Sequence, residues 1–204
     1  MKLLELRVRA LLCSVFILGI LSFAPANAQN FDQCLPDCQN DNFTLMGMLP
    51  PILLAVPGQP GCSLEVNYGY RNACGLWNDF FIYSIQAIGT CSQSFLTDPN
   101  AIMQTATTLL LMSNPPIDMM MNTVGPTKPS CGNVNCVTNW RVSKGSCWKA
   151  YGGGLFGPCE TSGCCLQPFQ ICRDFCDNIT VQNLAPATGG GCLVAEIGCV
   201  TVCQ

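Results

Sequence analysis

The sequence predicts a mainly β protein, built of antiparallel disulfide-rich sheets or a sandwich, with one substantial helix near residues 98–113. Three observations predict this fold class. Cysteine is abundant, with 17 in 204 residues, a density typical of disulfide scaffolds in exported chains. Apolar and polar residues alternate in several short segments, as they do in half-buried strands. A helix start signal followed by apolar residues at helical spacing occurs in one segment.

Residues 1–28 are predicted to be a cleaved secretory signal peptide. Basic residues precede an apolar run from Ala10 to Phe23, which is followed by the small residues Ala26 and Ala28. The run is too short to span a bilayer comfortably, and the small residues suit cleavage after Ala28. We therefore expect a mature chain without a membrane span, secreted or at the cell surface, in an extracellular or periplasmic setting.

The cysteine count predicts a framework of structural disulfides. Cleavage removes Cys13 and leaves 16 cysteines, an even number that fits eight bridges. No spacing is C-x-x-C, so the thioredoxin-type redox motif and the common zinc-knuckle spacing are both missing, and no metal site is predicted. Cys164 and Cys165 should bond to different partners, because neighbouring side chains of an extended chain point to opposite faces. The predicted half-cystines are Cys34, Cys38, Cys62, Cys74, Cys91, Cys131, Cys136, Cys147, Cys159, Cys164, Cys165, Cys172, Cys176, Cys192, Cys199 and Cys203.

The charged residues exclude several functions. Histidine is absent from the chain, which removes imidazole bases and imidazole metal ligands. The mature chain keeps six basic and eleven acidic residues, a net charge of about −5. Nucleic acids and anionic lipids require basic clusters, so neither is an expected partner. Charged residues make up only 10% of the chain, and surfaces so poor in charge associate readily.

The clearest strand pattern runs from Cys62 to Arg71, where apolar and polar residues alternate over ten positions. We expect the face with Cys62 to be buried and the face with Glu65 and Arg71 to be in water. Residues 79–88 are rich in aromatic and β-branched residues, which predicts an antiparallel partner strand. Cys91 should close this unit.

Asp98 followed by Pro99 predicts an N-cap with proline at the first helical position. Ile102, Ala106, Leu109 and Leu110 follow at helical spacing. The helix should end before the prolines that follow Asn114.

The proline-rich segment 114–130 is the best boundary within a single mature domain, with lobes at 29–113 and 131–204. The run from Met119 to Met121 suits core filling, or a pliable binding surface as the alternative. Beyond the boundary, residues 136–142 and 147–151 are predicted to form a hairpin around a turn at 143–146.

The remaining C-terminal segments are predicted from glycine and β-branched residues. Residues 152–158 should form a loop because three glycines begin the segment. Strands are expected at 166–175, 179–184 and 192–203.

Several apparent chemical motifs lack their context. Gly152-x-Gly154-x-x-Gly157 matches a dinucleotide fingerprint, yet no helical pattern follows it. Ser146-x-x-Lys149 matches an acylation motif without its companion motifs. A calcium loop from Asp37 would lack the required glycine and glutamate. The sequence therefore predicts no catalytic residue and no cofactor.

Carboxylate chemistry is the alternative that the sequence leaves open, because two acids from distant segments can flank a glycosidic bond. Solvated strand ends are the expected role of these acids, which are Glu65, Asp79, Glu160, Asp174 and Asp177. Asn42 and Asn178 begin N-x-[ST] motifs and are glycosylation acceptors if the host glycosylates exported proteins.

These observations favour a secreted or cell-surface disulfide-rich binding or structural protein without catalysis. Self-association into a surface layer or appendage is a further expectation, since little charge blocks strand pairing at sheet edges. The partner is expected to be a protein or glycan, or the chain itself. The alternatives are a secreted carboxylate-dependent glycan hydrolase and a disulfide-rich protease inhibitor.

Overall fold

A computed structural model describes residues 43, 49–113, 126–160, 162–192 and 197–203. Its contacts divide the chain into Met1–Phe31 and Asp32–Gln204, and every described residue belongs to the second unit. The predictions that lie outside the described residues concern the signal peptide, the Asp37 loop, the Asn42 acceptor, Cys34, Cys38 and the run from Met119 to Met121. None of the described helices is long and apolar enough to cross a membrane.

The described elements are ten strands and two helices. The strands are β1 (Ile52–Ala55), β2 (Cys62–Ala73), β3 (Trp77–Gly89), β4 (Val134–Gly145), β5 (Cys147–Gly152), β6 (Leu155–Pro158), β7 (Cys164–Asp174), β8 (Ile179–Asn183), β9 (Thr188–Gly189) and β10 (Val200–Thr201). The helices are α1 (Gln93–Leu96) and α2 (Pro99–Met112).

The predicted fold class is confirmed, since strands account for 52% and helices for 13% of the residues that the structure describes. All ten strands join one mixed sheet with the central order β10-β5-β6-β3-β4-β7-β8. The pair of β3 and β4 is parallel, and the other described pairs are antiparallel. This parallel pair joins strands from both sides of the proline-rich segment in one sheet.

The alternating segment forms β2, and its antiparallel partner is β3, as the sequence predicts. The register shifts between Asn67 and Tyr68, where a bulge adds one residue. The predicted solvent face is wrong at its end, because Arg71 is only 3% exposed. A tight turn with positive φ at Cys74 and Gly75 places Arg71 directly opposite Asp79.

Helix α2 confirms the predicted helix and contacts β1, β2, β5, β8 and β10. Its buried face supplies Ile102, Met103, Ala106, Thr107, Leu110 and Leu111 to the core. Asp98 is the N-cap, and its carboxylate accepts hydrogen bonds from the backbone N–H of Asn100 and Ala101 at 3.0 and 3.1 Å.

We expect Asp98→Ala to lower the free energy of unfolding by about 1 kcal/mol, because the first turn loses its acceptor for two backbone N–H groups. Asp98→Asn is the matched control, since its amide oxygen can still cap the helix. Chemical unfolding with the disulfides intact measures both variants. Equal stability of Asp98→Ala and the wild type would contradict the assigned cap.

The C-terminal half differs from the prediction in three places. Of the strand predicted at 192–203, the described residues form a strand only at Val200–Thr201, and residues 197–198 form a turn. Residues 143–146 do not form a hairpin turn, because β4 continues to Gly145 and pairs with β3 and β7. Strand β5 pairs instead with β6 and β10. Residues 155–158, predicted as loop, form β6, because Phe156 pairs with Ala150 of β5 and Ile85 of β3.

Five disulfides connect described residues. Three of them join residues 192–203 to residues 147–165. Of the other two, one joins the start of β2 to the segment after β3, and one joins β4 to β7. The bonds are Cys62–Cys91, Cys136–Cys172, Cys147–Cys192, Cys159–Cys199 and Cys165–Cys203. Each such bond typically contributes about 2–4 kcal/mol, so together they rival the net stability of a domain.

The four remaining described cysteines are two half-cystines and two free thiols. Cys74 and Cys164 are also disulfide-bonded, to partners outside the described residues. Cys165 is joined to Cys203, so the adjacent pair has different partners. Cys131 and Cys176 are free thiols in the structure, where the sequence predicts half-cystines.

Candidate functional site

A row of three charged side chains crosses the buried part of the sheet. Arg71 of β2, Asp79 of β3 and Arg141 of β4 are direct neighbours in register. Their exposures are 3%, 0% and 5%. Nε of Arg71 donates to Oδ2 of Asp79 at 2.9 Å. Arg141 donates from Nε to Oδ1 at 2.7 Å and from Nη2 to Oδ2 at 2.8 Å.

Aromatic rings lie against both guanidinium groups of this row. The Phe43 ring centroid is 4.8 Å from Cζ of Arg71, and the Trp77 ring centroid is 4.7 Å from Cζ of Arg141. Such cation–π contacts strengthen when water is excluded. Both oxygens of Asp79 accept from arginine in a buried place, so this carboxylate joins strands β2, β3 and β4.

The other four acids of the hydrolase alternative lie on three parts of the fold, and two of them share one exposed turn. Glu65 is on β2, Glu160 follows β6, and Asp174 and Asp177 lie at the turn between β7 and β8. Hydrogen bonds from Asn178 hold the pKa of Asp174 below its usual value, and the hydrogen bond from Lys128 lowers the pKa of Asp177. A general acid needs the opposite shift, toward neutrality.

Lys144 is a buried cation that sequence reasoning missed. It is only 2% exposed, and in register it lies between Ile82 of β3 and Cys165 of β7. No ion pair or hydrogen bond joins its Nζ to a described residue. Burial lowers the pKa of Lys144 from 10.5 to about 8, because desolvation disfavours the charged amine.

A groove of about 500 Å³ lies between α2 and the turn that follows β1. Apolar side chains and uncharged amides and hydroxyls line it, and none of the described lining residues is charged. The lining residues are Val56, Pro57, Gln59, Phe95, Ala101, Gln104, Thr105, Thr108, Leu109 and Met112. Its described lining suits neutral ligands and does not include the two carboxylates that glycan hydrolysis requires.

The predicted acceptor Asn178 lies in the exposed turn between β7 and β8. Its side-chain amide donates to Oδ2 of Asp174 at 2.8 Å, and its backbone N–H donates to Oδ1 at 2.9 Å. Glycosylation of Asn178 stays a prediction, and the exposure of the turn is compatible with it.

Strand β8 ends the central strand order and therefore presents an open edge. Leu184 donates its N–H to the carbonyl of Pro168, and Asp174 donates to the carbonyl of Asn178. Because inward and outward groups alternate along an antiparallel edge strand, the N–H and C=O of Ile179, Val181 and Asn183 point away from β7.

No cluster of three or more metal-ligating side chains occurs among the described residues.

The burial of the charged side chains could not be predicted in full, because it depends on strand pairings that the sequence pattern does not specify. The hairpin between β2 and β3 was nevertheless predicted, and its register would have placed Arg71 beside Asp79.

Taken together, the strands and bridges define a small, mainly β, disulfide-rich protein. No protein-family model matches the chain, and no curated protein or solved structure is significantly similar to it.

Proposed function

We propose that this is an exported, non-catalytic structural or binding protein that self-associates by pairing strands at the open edge of β8. The disulfide-rich fold supports the extracellular setting, because such bonds persist in oxidising compartments. The geometry of β8 carries the proposal of self-association. The partner is a second copy of this chain.

The exposed edge of β8 has the hydrogen-bonding groups that a further strand requires. Three residues, Ile179, Val181 and Asn183, direct backbone N–H and C=O groups outward. No described residue accepts from or donates to these outward groups. An incoming extended strand would satisfy them, as in β-strand addition.

The composition of β8 leaves this edge unprotected. Its sequence, Ile179-Thr-Val-Gln-Asn183, contains no charge and no proline, and its pairing with β7 shows no register shift. Natural sheets usually block edges with charges, prolines, bulges or very short strands. The opposite case is β1, which has four residues and lies between Pro51 and Pro57.

A proline at position 181 tests this proposal. The N–H of Val181 points outward, so Val181→Pro removes a donor from the open edge and no hydrogen bond from the β7–β8 ladder. We expect wild-type protein to form concentration-dependent assemblies and Val181→Pro to remain monomeric. Light scattering coupled to size-exclusion chromatography measures the difference.

Val181→Thr is the matched control, because threonine has nearly the shape of valine and keeps the N–H. It should assemble as the wild type does. Circular dichroism verifies that each variant keeps its strands. A wild-type protein that stays monomeric at every concentration, or a Val181→Pro variant that assembles equally, would contradict the proposal.

The hydrolase alternative receives less support from the geometry. Asp79 is buried by two arginines, and Asp174 and Asp177 are held ionised at an exposed turn. The described residues that line the groove beside α2 include no carboxylate. The inhibitor alternative requires a reactive loop, and no described loop is singled out by the geometry. We therefore propose neither activity.

A further inference from the structure

Two exposed thiols, Cys131 and Cys176, stand apart from the disulfide framework. Every other described cysteine is bonded, whereas both of these are free. Cys131 precedes β4, and Cys176 lies in the turn between β7 and β8. Both cysteines therefore lie at the same end of the antiparallel pair of β4 and β7.

Contacts on both sides of each cysteine bring the two segments together. The last register pair of β4 and β7 is Val134 with Asp174. Beyond it, Lys128 forms an ion pair with Asp177. Cys131 lies between Lys128 and Val134 in the chain, and Cys176 lies between Asp174 and Asp177. In the chain, each cysteine therefore lies between the same two contacts, the strand pair Val134–Asp174 and the ion pair Lys128–Asp177.

Both cysteines lie in turns, outside the hydrogen-bonded ladder. The N–H of Asn133 donates to the carbonyl of Ser130 at 3.1 Å and closes a turn around Cys131. The N–H of Cys176 donates to Oδ1 of Asp174 at 2.8 Å.

We propose that Cys131 and Cys176 form a reversible dithiol–disulfide pair that closes this end of the sheet. On closure the two thiols lose two protons and two electrons and form one S–S bond. The electrons reduce a small-molecule disulfide, such as oxidised glutathione, to two thiols through a mixed-disulfide intermediate. Reduced glutathione reverses the reaction by the same exchange.

Exposure makes this pair the one most open to exchange with thiols in solution. Each of the five bridges between described residues has at least one cysteine that is 8% exposed or less. Thiol exchange requires that the attacking thiolate reach a sulfur atom. Both sulfurs of the proposed pair belong to exposed residues. The buried members of the other bridges are Cys62, Cys147, Cys159, Cys165 and Cys172.

Peptide mapping of the full mature protein tests the proposal. The protein is equilibrated with oxidised glutathione, and free thiols are then alkylated before any reduction. Trypsin cuts after Arg173 and separates Cys172 from Cys176, and elastase cuts after Val134 and separates Cys131 from Cys136. We expect a Cys131–Cys176 cross-linked peptide and complete loss of alkylation at both cysteines.

Graded addition of reduced glutathione should restore alkylation at Cys131 and Cys176 before any of the five other bonds opens. Cys131→Ser is the control, because it should leave Cys176 open to alkylation under the oxidising condition. Persistent alkylation of both wild-type thiols after oxidation would overturn the proposal. A bond to another chain or to any other cysteine, or opening no earlier than the five bridges, would also overturn it. Repeating the mapping on Val181→Pro keeps this test independent of assembly.

Discussion

Replacing Asp79 with asparagine is expected to lower the free energy of unfolding by about 3–5 kcal/mol. The carboxylate lies between two buried guanidinium groups and accepts from both. Asparagine keeps the shape of the side chain but removes the negative charge that the two arginines share. A buried charge pair broken on one side leaves an uncompensated charge in a poorly solvated place, which is the costly case. Denaturant unfolding with the disulfides intact measures the loss.

An exposed aspartate provides the control that shows whether the loss of stability depends on the burial of the carboxylate. Asp177→Asn removes an acid that is also paired with two cations, Lys128 and Arg173, but at an exposed turn. Its unfolding midpoint should stay close to that of the wild type, because exposed ion pairs contribute little. If Asp79→Asn is as stable as Asp177→Asn, the buried row is not a major support of the fold.

Replacing Lys144 with methionine is expected to stabilise the protein by about 3 kcal/mol at neutral pH. The side chain of Lys144 is buried, and this desolvation lowers the pKa of its amine from 10.5 to about 8. Below pH 8 the folded protein carries the cost of a desolvated ammonium group, and methionine has a similar length without that charge. Lys149→Met on β5 is the control, because this lysine is only partly buried.

The wild-type protein should also become more stable as the pH rises from 8 toward 10. In this range the unfolded chain keeps the Lys144 proton while the folded chain releases it, so unfolding takes up protons and stability rises with pH. Above pH 10 the tyrosines reverse the trend, because burial raises the pKa of Tyr68 and Tyr83 and raises that of Tyr70 to about 12. Lys144→Met should lose the rise between pH 8 and 10. An equal rise in this variant would contradict the assignment.

Local patterns in the sequence predicted the elements whose contacts are local. Asp98 and Pro99 start α2 by capping, and the alternation from Cys62 onward sets the buried face of β2. The disulfide between Cys62 and Cys91 closes the unit formed by these neighbouring segments, as expected.

Pairing between strands that are far apart in sequence explains the strand ends and buried charges that the sequence patterns did not predict. Residues 143–146 have turn composition, yet β4 extends through Lys144 because β3 and β7 supply backbone partners on both sides. The same pairing buries Lys144, and the register of β2, β3 and β4 buries Arg71 and Arg141. A polar residue on an alternating strand is expected in water unless a paired strand brings an opposite charge. Arg71 meets that condition through Asp79 on the adjacent strand β3, and Arg141 meets it through the same carboxylate across a non-local pair.

The sequence predicted that a sheet edge would be poorly protected, but it did not predict that β8 would form this edge. Low charge predicted that sheet edges would be poorly protected, while the sheet order that leaves β8 at an edge depends on pairings far apart in sequence. The two thiols near this edge show a similar limit. An even cysteine count predicts complete pairing, and only the fold distinguishes the exposed pair from the buried bridges.

Hydrogen exchange of the β8 amides tests whether two copies of the chain pair at this edge. The backbone N–H groups of Ile179, Val181 and Asn183 point away from β7, so they should exchange rapidly in dilute monomer. At concentrations where the protein assembles, these amides should become protected, because a strand from a second copy accepts their hydrogen bonds. Assemblies in which these three amides still exchange as in the monomer would contradict pairing at β8.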